Sequence, residues 1–363
     1  MNRPYQFHFI SFFSKNITSE NTKMQIENLP NYSKNHHTRK GFKNDEGDPT
    51  VPDMHERAMF FKFMFSKVDV TTPLPVRKIP KEELSDSPTM RVWWLSHATI
   101  LYQINHKYIL TDPVFDEGAS PVSGFIKRIT PLPLTLDDLP EISYILLSHD
   151  HYDHLSYHTL TELKRKNPNV KIFAPLGVHT YVNNWDRNFN VVPFDWRQKV
   201  TIDDITFVCF PARHGSQRTM TDRATKLWCS WLFQFDNKTI YFPGDTAIGP
   251  HFAEVRNYVG KPIDLVMMPI GPQNPKAMMR KVHVDPTDAR DMALILEAQT
   301  VVPIHYGTFP LGMEVEVSDI ELLRRTWTEC PLRLRVLKVG GRVDFIDGKF
   351  DVENEEEMIG HPE

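Results

Sequence analysis

Short apolar runs recur along the chain from Arg91 onward, each bounded by polar or turn-forming residues. Their lengths and their Val, Ile, Tyr and Phe content read as strands. Val92–Trp94, Ile100–Ile104, Tyr108–Leu110, Ile142–Leu147 and Val170–Ala174 make a first series. Ile205–Phe210, Trp231–Phe235, Thr239–Phe242, Asp264–Pro269 and Thr300–Ile304 make a second. Helical patterning fits Tyr157–Lys166, Asp285–Ala298 (opening on an Asp-Pro cap) and Val317–Glu329. Strands interleaved with helices predict an α/β fold. One hairpin is echoed: Leu-Tyr-Gln-Ile-Asn-His-Lys at 101–107 matches Leu-Phe-Gln-Phe-Asp-Asn-Lys at 232–238. Each copy leads to an aspartate just past a strand, Asp112 and Asp245. Two similar β-rich halves with a site between them would produce that echo.

The ends of the chain lack this pattern. Residues 1–50 are polar and weakly periodic and are expected to form a flexible arm, and residues 348–363 an acidic, solvated tail. Residues 51–90 hold an apolar segment, Met54–Lys67, followed by a proline-punctuated linker. Within that segment Met54, Ala58, Phe61 and Phe65 fall on one helical face, while Met59, Phe60, Phe63 and Met64 widen the apolar surface. Such a helix either packs on the domain or offers a lip to lipid. In the second case Phe61 and Phe65 contact substrate. The α/β domain spans residues 91–347.

Composition removes several classes of function. A chain of 363 residues with 40% hydrophobic content can bury a large core. A formal charge of −4 and the lack of a basic, aromatic-laced patch disfavour nucleic acid as partner. Cys209, Cys229 and Cys330 form no CxxC pair, which argues against a disulfide framework and a thiolate zinc site. No apolar run reaches the roughly 20 residues of a membrane span, and Met1–Asn16 lacks a small-residue cleavage site. A cytoplasmic protein is expected, peripheral on a membrane if the apolar segment touches lipid, with a homodimer left open.

The chemistry is concentrated at strand ends. Directly after Ile142–Leu147 come His149, His151, Asp153 and His154. Alternate residues leaving a strand share a side, so His149 and His151 address one point, while Asp153 and His154 can address a second. Imidazole and carboxylate together suit a divalent metal such as zinc. His214, Asp245 and His305 each follow another apolar strand. Alone, each is more often a hydrogen-bonded core histidine or a turn aspartate. Together the seven exceed the three protein ligands typical of one catalytic zinc and fit two metals sharing an aspartate.

The pattern His149-x-His151-x-Asp153-His154 with His214, Asp245 and His305 resembles the metallo-β-lactamase superfamily. Further blocks resemble its branch of N-acyl-phosphatidylethanolamine-hydrolysing phospholipases D. These are Trp94–Thr99, Leu110–Phe115, Ala119–Pro121, Ser148–Leu155, Gly244–Thr246, His283–Pro286 and Ile304–Phe309, with His36–Thr38 and Gly41-Phe42 in the arm. The resemblance implies a four-layer αββα sandwich, a catalytic domain with two zinc ions at one edge of two sheets. By the same resemblance His149, His151 and His214 hold one zinc, Asp153, His154 and His305 the other, and Asp245 bridges. The implied activity is hydrolysis of N-acyl-phosphatidylethanolamine at a membrane surface by a metal-bridging hydroxide, giving N-acylethanolamine and phosphatidic acid. A lactonase or phosphodiesterase for a small soluble phosphorylated metabolite is the alternative, and a non-catalytic binding protein a more distant one. Asp153 and His283 are candidate catalytic groups, Arg218 and Tyr152 candidate substrate contacts, and His97 and Asp112 candidate supports of the ligands. Two departures stand out. Asp150 replaces an Asn often found in the histidine motif, and Gly215–Gln217 lacks the Trp and Lys of the animal enzymes.

Overall fold

A computed structural model describes residues 24–47, 72–122, 124–312 and 317–352. The expected helix Met54–Lys67, with Phe61 and Phe65, lies outside these residues, as do residues 353–363 of the expected tail; its start is not a solvated end, because Lys349–Asp351 pairs as a strand and buries Phe350.

Two eight-stranded sheets face each other. The first runs, in spatial order, Lys349–Asp351, Arg342–Ile346, Arg91–Ser96, Thr99–Ile104, Lys107–Thr111, Ile142–Leu146, Lys171–Pro175 and Asn190–Phe194. The second runs Glu27–Asn28, Gln198–Ile202, Ile205–Phe210, Ser230–Phe235, Lys238–Phe242, Leu265–Pro269, Thr300–Ile304 and Arg333–Leu334. Alternation along a strand divides its side chains between two cores. Val92 and Trp94 enter the space between the sheets, while Trp93 and Leu95 pack beneath the helices Tyr157–Lys166 and Val178–Trp185. Helices His251–Val259 and Pro286–Ile295 cover the outer face of the second sheet through Phe252, Val255, Ala289 and Met292. The result is the four-layer αββα sandwich. Strands buried on both faces read as unbroken apolar runs, which is why Leu265–Pro269 was visible in the sequence. Each fully buried large side chain contributes on the order of 1.5–3 kcal/mol.

The echoed hairpin occupies equivalent places in the two sheets. Thr99–Ile104 pairs with Lys107–Thr111, and Ser230–Phe235 with Lys238–Phe242. Asn105 and His106 in one turn, and Asp236 and Asn237 in the other, all have positive φ, as a two-residue I′ turn requires.

The arm differs from expectation. Residues 24–47 are docked: Leu29, His36 and Asn44 are buried, and Glu27–Asn28 adds a strand to the second sheet. Low hydrophobicity concealed this because polar side chains do the docking. His36 and His37 point their Nε2 atoms at Asp195 carboxylate oxygens, 2.7 and 2.9 Å away, and Tyr32 donates to one of them at 3.0 Å.

Candidate metal centre

Topology brings the candidate ligands to one edge. Arg91–Ser96 and Lys107–Thr111 are each antiparallel to Thr99–Ile104, and Ile142–Leu146 runs parallel to Lys107–Thr111. Their C-terminal ends therefore coincide, placing His97, Asp112 and the loop 148–155 together. In the second sheet Ile205–Phe210 and Lys238–Phe242 flank the antiparallel Ser230–Phe235, and Leu265–Pro269 and Thr300–Ile304 continue parallel. Those ends carry His214, Asp245 and His305. His97, Asp112 and His305 adopt positive φ, so the chain turns sharply where each side chain is needed. Gly244 has φ 61° and lies so close to Ser148 that a Cβ would sit 2.8 Å from the serine Cβ. Only glycine lets Asp245 approach the histidine loop this closely.

Seven side chains converge in two sets. In the first, His149 Nε2 and His214 Nε2 lie 2.9 and 3.3 Å from His151 Nδ1, and each is 3.8 Å from Asp245 Oδ2. In the second, His154 Nε2 is 3.1 Å from His305 Nε2, and Asp153 Oδ2 lies 3.4 and 3.6 Å from them. Asp245 touches this set too, at 3.3 Å from His154 and 2.9 Å from His305. It faces both groups.

The far nitrogens of these rings are already engaged. His214 Nδ1 meets the Val282 carbonyl at 2.8 Å and His305 Nδ1 the Gly271 carbonyl at 2.9 Å, while His154 Nδ1 meets Asp112 Oδ2 at 2.7 Å. Ser148 donates its hydroxyl to Asp112, so its lone pair receives His149 Nδ1–H. Each neutral ring is thereby fixed in the tautomer that aims an Nε2 lone pair into the site. Neutral, His154 and His305 would set two lone pairs 3.1 Å apart, an arrangement that either a proton or a metal cation between them relieves. The donor set fits a divalent cation.

Burial and neighbouring charge divide the five rings into two groups. Burial pushes His149 and His214 down and His151 to about 3, favouring the neutral, ligating form. At His305 burial acts the same way, but Asp245 and then Asp153 outweigh it and raise the ring to about 9. His154 is raised for the same reason. Burial opposes charge on Asp153 and Asp245, yet the neighbouring histidines hold both well below the usual carboxylate range. In the metal-free chain the protonated His154 and His305 balance the two carboxylates, and a divalent cation would displace those protons and take over that role.

The remaining candidates take varied places. His97, buried and lowered to about 3 by that burial and then by His305, lies with its Nε2 2.9 Å from Asp153 Oδ2. Asp112 is fully buried behind His154 and accepts the Ser148 amide as well. His283 Nδ1 is 3.8 Å from Asp245 Oδ2. Tyr152 lines the cleft over the site, but Arg218 does not. Its guanidinium lies 3.8 Å over the Tyr152 ring and donates to the Asp150 carbonyl at 2.8 Å. Sequence reasoning missed Ser148, which links His149 to Asp112, and Asn44, which pairs with the backbone of His214. The small polar residue before His149 was the available signal for Ser148.

A cleft of about 560 Å³ opens onto the ligands. His151, Asp153, Asp245 and His283 form its polar end, and Val122, Phe125, Met279 and Leu311 belong to its apolar wall. Val122 and Phe125 are 63% and 49% exposed, so the wall continues onto the surface. Among the described residues no helix is long and apolar enough to cross a membrane.

Comparisons with known proteins agree with this geometry. A family model for the beta-lactamase superfamily domain matches residues 107–306. The N-acyl-phosphatidylethanolamine-hydrolyzing phospholipase D 1 of Caenorhabditis elegans is 33% identical over 249 residues, covering 66% of this chain and 70% of its own. The mitochondrial N-acyl-phosphatidylethanolamine-hydrolyzing phospholipase D of Saccharomyces cerevisiae is 30% identical, over 68% of this chain and 53% of that protein. Among solved structures, a metallo hydrolase from the archaeon Ignicoccus hospitalis shares the fold with a TM-score of 0.54 at 19% identity, covering 71% of this chain and 99% of that one. The chain belongs to the metallo-β-lactamase superfamily and is a metal-dependent hydrolase of that fold.

Proposed function

We propose that this hydrolase is a zinc-dependent phospholipase D that cleaves N-acyl-phosphatidylethanolamine at a membrane surface. The observation that carries the reading is the cleft, which joins a metal-binding end to an apolar wall exposed at Val122 and Phe125. Its volume suits a drug-sized ligand. A lipid with several acyl chains is far larger, so most of it would stay in the bilayer while the headgroup enters. The relatives named for this activity, at 33% and 30% identity, support the same substrate class.

In this reading His149, His151 and His214 would hold one zinc and Asp153, His154 and His305 the other, with Asp245 facing both sets. Two divalent cations so placed lower the pKa of bound water and neutralise charge on a phosphate. The chain's own groups supply the rest. Asp153, kept ionised and held by His97, lines the cleft and serves to orient water and accept its proton. Water oxygen bonds to phosphorus, the bond from phosphorus to the acylethanolamine oxygen breaks, and that oxygen takes up a proton. His283 is pushed well below its ordinary value by burial and so is neutral at physiological pH. A neutral ring donates a hydrogen bond to a phosphate oxygen better than it delivers a proton.

The test is to give zinc-loaded protein vesicles containing N-acyl-phosphatidylethanolamine and identify products by mass spectrometry. Acylethanolamine and phosphatidic acid are expected. An inert lipid alongside turnover of a soluble lactone or phosphodiester would replace this reading with the soluble-substrate one.

A further inference from the structure

We infer that Asn44, in the N-terminal segment, is a positioning residue that aims His214 into the metal centre; this rests on the metal-centre reading above. Asn44 is 1% exposed and 170 residues from His214 in sequence. Its Nδ2 donates to the His214 carbonyl at 3.0 Å, and its Oδ1 accepts the His214 amide at 3.3 Å. One planar carboxamide thus meets the donor and the acceptor of a single residue, which no carboxylate or hydroxyl can do in the same plane. Oδ1 also accepts the Trp228 indole N–H at 2.8 Å, which fixes which end of the amide faces which partner.

His214 needs such a clamp. It lies beyond the last residue of Ile205–Phe210, where ladder pairing has ended, and its ring meets the Val282 carbonyl through Nδ1. A buried peptide without partners is costly and free to tilt. The segment bearing Asn44 is itself anchored on both sides. Phe42 N–H donates to the Ala224 carbonyl at 2.8 Å, and Gly41 sits where any Cβ would meet that same carbonyl. Asp45 pairs with Arg197, which also holds Glu254. The N-terminal segment is therefore part of the metal centre's support, and the carboxamide is the element that transmits it.

Outer groups that orient metal-ligating histidines typically change affinity by about 10–100-fold when removed. Zinc and cobalt titrations of the metal-free full chain, read by chelator competition and by the cobalt absorption bands, test the inference without relying on turnover. In Asn44→Ala and Asn44→Asp, one of the two bound metals is expected to weaken by that factor while the other keeps its affinity. Asn44→Asp keeps the shape of the side chain but sets an acceptor against the His214 carbonyl, so it remains informative if the alanine variant folds poorly. Asp45→Ala loosens the same segment without touching His214 and is expected to bind both metals as the parent does. Parent-like affinity in both Asn44 variants overturns the inference. Equal weakening in Asp45→Ala also overturns it, since packing of the segment would then be the cause. A parent chain that binds no metal sinks the metal-centre reading itself.

Discussion

The two sheets deliver their shares of the metal centre in opposite ways. The first sheet offers His149, His151, Asp153 and His154 from a single loop, with Asp112 and Ser148 directly behind them. The second offers His214, Asp245 and His305 singly, each at the end of a different strand. A compact loop carries its geometry locally. The second sheet's ligands meet only if several strand pairs hold register, and they lean on remote carbonyls at Val282 and Gly271. Removing a part from each sheet shows how far the centre depends on each.

The largest effect is expected where the halves meet. Asp245→Ala removes the carboxylate that faces both sets and should abolish turnover, as should His151→Ala from the loop. Circular dichroism should show both folded. Persistent turnover in both would refute the proposed site. Next in size is Asp112→Asn, which keeps the shape behind His154 but replaces the carboxylate oxygen that His154 Nδ1 faces. A loss of activity or metal affinity of about 10–100-fold is expected, larger than that from any change at Tyr152, which contacts no ligand.

The cleft wall gives a third contrast. A phenylalanine moved into an apolar phase gains about 1.5–3 kcal/mol, so Phe125→Asp should slow hydrolysis of vesicle lipid by roughly tenfold or more. Turnover of a short-chain, water-soluble diester should be unchanged. Equal loss on both substrates would mean that Phe125 supports the site and does not meet lipid.

The smallest effect concerns Asp150, inside the loop yet outside both ligand sets. Burial and then Asp222 raise its pKa from 3.8 to about 6. A folded pKa above the unfolded one means that the ionised carboxylate destabilises the fold above pH 6 and that the penalty fades as pH falls toward 4. Asp150→Asn should therefore stabilise the metal-free chain at pH 8 by up to about 3 kcal/mol, with no gain at pH 4. Denaturant unfolding at the two pH values checks this, and an equal gain at both would point to packing.

The same contrast explains what could be read from sequence. The loop ligands were legible because six consecutive residues carry them, and Ile205–Phe210 and Thr300–Ile304 because strands buried on both faces are continuously apolar. Asn190–Phe194 and Gln198–Ile202 escaped because the exposed Asn190, Pro193 and Thr201 and the half-buried Gln198 and Lys199 interrupt their apolar content. The helix His251–Val259 has a polar, mixed face that hides its buried Phe252 and Val255. Asn44 was invisible because its function lies in a pairing made only in three dimensions. Nor does the spacing of Arg218 from His214 reveal that its guanidinium stacks on Tyr152 and donates to the Asp150 carbonyl.

Zinc titration into the metal-free chain near neutral pH, followed calorimetrically, tests the central claim most directly. Two equivalents should bind to the parent protein, and Asp245→Ala should retain at most one at comparable affinity. A single equivalent in the parent, or two unchanged equivalents without Asp245, would contradict a two-metal centre shared across the sheets.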